Sequence, residues 1–247
     1  MPQFNKSSNG YILVYAIIMT LVFGTLLAFV SETLKDKQKA EVLIEKQKFI
    51  LKAAYGEDGM AGIAKSEITP LYDKAVDVKV INNIGADIDA DEVKLNIGKE
   101  YKKAAGERAL PIYVVGTKDD PSKVESYVLP VYGKGLWDFI WAYVAIDADL
   151  KTIEGIVFDH VGETPGLGAR ITDAEVQQRF IGKELVYEGQ TVDAPDFQKG
   201  EGKDYSGDKQ KVDGLSGATI TANGVNQMLD DYMVLYLPYI NKLKKSL

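Results

Sequence analysis

The chain has 247 residues, 46% of them hydrophobic and 26% charged. It is therefore long enough to bury a sizeable core, and its formal net charge of -7 argues against nucleic acid as a partner, since that would call for a basic face. The absence of cysteine excludes disulfides, thiolate metal sites and the usual ligands of an iron–sulfur cluster, and the single histidine, His160, removes most zinc and Ser-His-Asp schemes.

After a short tail (residues 1–10), Tyr11 to Val30 contains no charged residue. As a helix it spans roughly 30 Å at about 1.5 Å per residue, which predicts a transmembrane segment over 11–30. A cleaved signal peptide is the rival reading, but the apolar run is longer than such a peptide carries, and Ala28-Phe29-Val30 is a poor cleavage site. Only Lys6 precedes the span, whereas Lys35, Lys37, Lys39, Lys46 and Lys48 follow it. By that count alone the larger domain would stay in the cytoplasm. Apolar residues recur at helical spacing from Thr33 to Ala54, giving a helical connector over 31–55 that Tyr55-Gly56-Glu57-Asp58-Gly59 breaks.

The remainder, 56–247, reads as one α+β domain. Strands are predicted at Val76 to Ile81, Pro111 to Val115, Ser126 to Val131, Phe139 to Ile146 and Ile153 to Phe158, all rich in β-branched or aromatic residues. A short helix is expected at Asp173 to Phe180, a polar surface loop at Asp193 to Gly207, and a long amphipathic helix at Ala222 to Leu237. Asp87-x-Asp89-x-Asp91 begins like a calcium loop but places Glu92 where the turn glycine belongs, so it reads as a solvated acidic turn. Gly133-Lys134-Gly135 and Gly166-Leu167-Gly168 lack the strand–turn–helix context of a dinucleotide fingerprint.

The most informative stretch is Asp213-Gly214-Leu215-Ser216-Gly217-Ala218-Thr219, directly before the last helix. Ser216, Gly217 and Ala218 carry little bulk, so a large planar group could approach the backbone. The free N–H groups and positive dipole end of the helix suit a phosphate. On residue types alone the stronger reading is that Thr219 or Thr221 is simply an N-cap.

Asp213-x-x-Ser216-Gly217-Ala218-Thr219 resembles the acceptor sequence of flavin transferases, which link FMN through its phosphate to the threonine ending Ser-Gly-Ala-Thr. His160-Val161-Gly162-Glu163-Thr164-Pro165-Gly166-Leu167-Gly168 resembles a flavin-contacting loop of the same proteins, and Tyr132-Gly133-Lys134-Gly135-Leu136-Trp137 a second loop. With the single N-terminal span, the chain resembles the family of C subunits of the sodium-translocating NADH:quinone reductases; a flavin-bearing G subunit of the related ferredoxin:NAD oxidoreductase is the runner-up. A cofactor-free anchored domain for assembly or ligand binding is the alternative of another class.

The resemblance implies covalent FMN on Thr219, with Ser216, Gly217 and Ala218 beside it. It implies apolar contacts to the ring from Leu136, Trp137 and Leu167, contacts to its edge or ribityl chain from Glu163 and Thr164, and close approach at Gly166 and Gly168. Asp213 would hold a metal ion for the flavin transferase. The expected partners are the other membrane and redox subunits, and the expected location is the bacterial inner membrane with the domain on the periplasmic side, against the lysine count. His160 reads as a hydrogen-bonded structural histidine at a strand end.

Overall fold

The computed structural model describes residues 8–93 and 95–245, so Lys6 and the start of the N-terminal tail lie outside it. The first helix, α1 (Asn9–Met60), joins the predicted span and connector into one element and contains a window of mean hydropathy 2.5, long and apolar enough to cross a membrane. Its residues up to Val30 are almost all exposed. Gly56, at φ 71°, interrupts the helical geometry inside the stretch expected to break it. By packing, the chain divides between Glu45 and Lys46 into two units.

The second unit is built on an antiparallel sheet in sequential order: β1 (Val76–Ile81), β2 (Leu110–Gly116), β3 (Val124–Lys134), β4 (Phe139–Asp147) and β5 (Ile153–His160). Alternation along each strand produces two apolar faces. Ile112, Leu129, Val131, Ile140, Ala142, Val144, Ile156 and Phe158 cluster with Val225, Met228, Leu229, Tyr232 and Tyr236 of the C-terminal helix α5 (Thr219–Lys244). Burying each large side chain contributes about 1.5–3 kcal/mol. The opposite face receives the last turns of α1, where Phe49 tilts against Tyr143 at 6.3 Å and Gly155 lies against the Ala53 carbonyl.

Pro130 sits in the middle strand, where a missing N–H would ordinarily count against a strand. Its carbonyl is satisfied from outside the sheet: the buried Tyr236 hydroxyl donates to Pro130 O at 2.8 Å and to Pro111 O at 3.2 Å. These bonds fix where α5 crosses the strands. Further along, Gly224 lies against the Lys134 carbonyl so closely that a Cβ would collide with it. The start of α5 is thereby brought to the end of β3.

The strands run one to three residues beyond several of the predicted limits, so Tyr132, Gly133 and Lys134 belong to β3 and pair with Trp141, Ile140 and Phe139; only 135–138 is a loop. The sequence pattern does not disclose α2 (Lys65–Ala75), which contains Pro70, or α3 (Ile97–Tyr101). Asp173 to Phe180 contains the helix α4 (Ala174–Gln178). Two small strand pairs are also unannounced: β6 (Val186–Glu188) with β7 (Thr191–Asp193), and β8 (Asp196–Phe197) in parallel with β9 (Lys211–Val212). Asp193 to Gly207 is thus no simple surface loop: Ala194 and Phe197 are buried, and Phe197 meets Phe180 edge-on at 4.9 Å. Within the acidic turn, the Asp91 carboxylate accepts the Val93 N–H and Asp87 lies 3.8 Å from Lys242.

Glu154 on β5 has a buried Oε2 with no hydrogen-bond partner among the described residues. Burial first, then the charges of Asp147, Glu125 and Asp149, push its carboxyl up to about 7. A folded-state value raised above the ordinary one means stability that is present at low pH and is lost as pH rises from about 4.5 through about 7. Glu154→Gln is expected to flatten that decline and to melt higher than the parent at pH 8 but not at pH 4.5. Thermal melts at the two pH values check it; an unchanged difference between them would count against this origin.

Candidate functional site

Three segments converge at one end of the sheet: the β3–β4 loop, the stretch after β5, and the turn into α5. The β3–β4 hairpin is closed by the Gly135 N–H donating to the Asp138 carbonyl at 2.9 Å and backed by Tyr132 stacked on Phe139 at 5.2 Å. The stretch after β5 folds on Thr164, whose carbonyl accepts the Leu167 and Ala169 N–H groups, both at 3.1 Å, with Gly166 at φ 76°.

Glu163 ties the three together. Its residue is 4% exposed, and its carboxylate accepts the Trp137 N–H at 2.9 Å through Oε1 and the Thr221 hydroxyl at 2.6 Å through Oε2. Its own N–H donates to His160 Nδ1 at 3.2 Å, so His160 is hydrogen-bonded at the strand end as expected. The glycines of two motifs make room for this carboxylate. A Cβ on Gly135 would strike Oε1, and one on Gly168 would strike both Oε2 and the Thr221 hydroxyl. Gly168 is accordingly buried, while Thr164 and Gly166 are exposed.

The two threonines before α5 differ sharply. Thr221 is 1% exposed and committed to Glu163. Thr219 is exposed, is the first residue of α5, and its hydroxyl makes no hydrogen bond among the described residues. Neither caps the helix: the N-cap is Ala218, which offers no side-chain bond. Gly217, at φ 76°, sits where a Cβ would meet Leu167 Cδ2 at 2.9 Å, which brings the turn before α5 against the Gly-Leu-Gly stretch.

Several apolar side chains of the three segments are exposed. Leu136 and Leu167 are each nearly half exposed, and Trp137, although its backbone is anchored, leaves its side chain out with the residue 70% exposed. Ile220 and Val161 are also exposed. Ser216 is exposed and Ala218 buried. Asp213 is engaged elsewhere: its carboxylate accepts the N–H groups of Gly202 at 2.8 Å and Lys203 at 3.0 Å, with its side chain 16% exposed. To hold a metal ion it would have to exchange those bonds.

Neither glycine pair builds a dinucleotide loop. Gly133 to Gly135 leads from one strand into the next, and Gly168 opens a short 3-10 turn. An exposed hydroxyl at a helix start, bordered by apolar side chains and small residues, is instead suited to a planar group tethered by a phosphate. The family described as FMN-binding domain matches residues 135–234, the stretch containing all three converging segments.

Full-length similarity narrows this further. The chain is 32% identical over 257 residues to the C subunit of the Na(+)-translocating NADH-quinone reductase of Neisseria meningitidis serogroup B, covering 99% of this chain and 98% of that one. It is 32% identical to the corresponding C subunit of Pseudomonas aeruginosa, covering 91% of each. The crystal structure of the C subunit from Parabacteroides distasonis superposes with a TM-score of 0.69 at 30% identity, covering 84% of this chain and 96% of that one. NqrC from Shewanella oneidensis superposes with a TM-score of 0.71 at 29% identity, covering 83% and 99%. The chain belongs to the family of C subunits of the Na(+)-translocating NADH-quinone reductases.

Proposed function

We propose that this chain is the FMN-bearing, membrane-anchored electron-transfer subunit of a sodium-translocating NADH:quinone oxidoreductase, with the flavin joined covalently through its phosphate to Thr219. The observation that carries the linkage is the contrast between the two hydroxyls, Thr219 exposed and without a hydrogen bond among the described residues, Thr221 buried against Glu163. The phosphate ester would lie at the positive end of α5, where a negative charge is favoured by about 0.3–1 kcal/mol. Bound FMN supplies the redox chemistry. Leu136, Trp137 and Leu167 would lie against the ring and keep water from it, Thr164 and the backbone at Gly166 would meet its edge, and Gly217 would leave space for the ring to approach.

Intact mass and peptide mapping of protein expressed in membranes with a flavin transferase test the reading: the added mass belongs on Thr219. Mass on Thr221, or none, would reject it; none would favour a cofactor-free assembly domain. Leu167→Ala and Trp137→Ala are expected to shift the flavin absorption spectrum and midpoint potential while leaving the flavin attached, because they remove packing against the ring. An unchanged spectrum and potential in both would remove these side chains from the site.

The helix α1 serves in this reading as a single-pass anchor in the bacterial inner membrane, with the second unit on the periplasmic side. That side runs against the lysine distribution, but long domains translocate largely regardless of charge. A C-terminal alkaline phosphatase fusion is expected to be active. Activity confined to a fusion that matures only in the cytoplasm would reverse the assignment.

A further inference from the structure

The turn that carries Thr219 is gripped by charged side chains that the apolar site does not use. Glu201 lies at their centre. Its Oε1 accepts from Arg170 Nη2 at 2.6 Å and from Arg179 Nη2 at 3.1 Å; its Oε2 accepts from Arg170 Nη1 at 3.0 Å and from the Ser216 N–H at 2.9 Å. Arg179 also donates Nη1 to the Gly214 carbonyl at 2.8 Å and the Asp213 carbonyl at 3.2 Å, and lies 3.6 Å from the Asp213 carboxylate. Gly214 presses so closely on the Gln198 and Gly200 carbonyls that no Cβ fits. The segment bearing Glu201 and the acceptor turn are thus locked together.

Exposed ion pairs contribute little, but this one is bidentate, and its side chains are 14% to 26% exposed. The Arg170 hydrogen bonds, followed by the Ser216 N–H, hold the Glu201 carboxyl down at about 2, so it stays ionised throughout the neutral range. It is a fixed charge, not a proton carrier.

The geometry points to Glu201, clamped by Arg170 and Arg179, as a positioning residue for covalent flavin attachment: it holds the backbone of Asp213 to Ser216 so that Thr219 is presented to the flavin transferase in one conformation. The inference rests on the reading of Thr219 as acceptor. In the transfer, Thr219 Oγ forms a bond to the phosphorus of the FMN half of a flavin dinucleotide, and the phosphoanhydride P–O bond breaks. AMP leaves with the electron pair, and the hydroxyl proton passes to solvent. Glu201 touches none of these atoms. A loose turn would have to be ordered at each encounter, so the transferase would meet a competent acceptor only part of the time.

The test uses the full-length, detergent-solubilised apo chain with a flavin transferase, Mg2+ and FAD, reading initial rates against acceptor concentration. Glu201→Ala is expected to raise the KM for acceptor about tenfold while kcat at saturation holds, the signature of a reduced competent fraction. Glu201→Gln, which can still accept the Ser216 N–H, should restore part of that loss. Arg170→Met, which leaves Arg179 and Ser216 in place, should raise KM as well and serves if Glu201→Ala fails to fold. Wild-type KM in Arg170→Met and in every folded Glu201 variant would overturn the inference while leaving Thr219 as acceptor. Equal labelling of Thr219→Val would overturn both.

Discussion

Thr219→Val is expected to abolish covalent flavin entirely while leaving a folded domain. Thr219 is exposed, so the substitution should change stability by no more than about 0.5 kcal/mol. Thr221→Val is the informative control, since it removes the neighbouring hydroxyl but keeps the exposed one. It should remain flavinylated. In-gel ultraviolet fluorescence of denatured protein reads both, because only a covalent flavin survives denaturation. In the assembled complex, the Thr219→Val chain should reduce NADH-driven quinone reduction to background, whereas the isolated flavinylated chain should accept electrons from dithionite without turning over NADH. Full quinone reduction by a complex lacking this flavin, or robust NADH turnover by the chain alone, would refute the carrier role.

Much of the sheet was legible because its strands obey local rules. Val76 to Ile81 alternates and is followed by the turn formers Asn82, Asn83 and Gly85, and the strand occupies those limits. What was not legible depends on partners remote in sequence. Pro70 masks α2, whose Ile68 and Tyr72 are buried in the second unit. Nothing polar in residues 193–207 announces that Glu201 would meet Arg170 and Arg179, because such pairs are set by the tertiary path alone. The site was legible as motifs, yet its internal division was not. Close approach by a ligand was expected at Gly168, and nothing in the sequence announced that the Glu163 carboxylate would lie against both Gly168 and Gly135. A carboxylate beside two glycine-bearing loops offers no local sign of whether it points inward or outward.

That inward carboxylate sets the second large effect. Glu163 is the one side chain bonded to both the β3–β4 loop and the first turn of α5 among the described residues, so Glu163→Ala strands the Thr221 hydroxyl in a buried place, removes the acceptor of the Trp137 N–H and opens a void between Gly135 and Gly168. A buried group left without its charged partner costs about 1–3 kcal/mol, and the lost loop bond and the void add to the one left here, so a loss of about 3–4 kcal/mol is expected. Glu163→Gln keeps the volume and one good acceptor, so it should lose about half as much. If Glu163 acts as an internal tie and not as a contact to the ring, destabilisation should appear in the apo protein. Thr221→Val, which breaks one of the same bonds, should then be less than additive with Glu163→Ala. Denaturant melts of the apo single and double variants check this. Full additivity, or an effect that appears only once flavin is attached, would move Glu163 out of the scaffold and onto the ring.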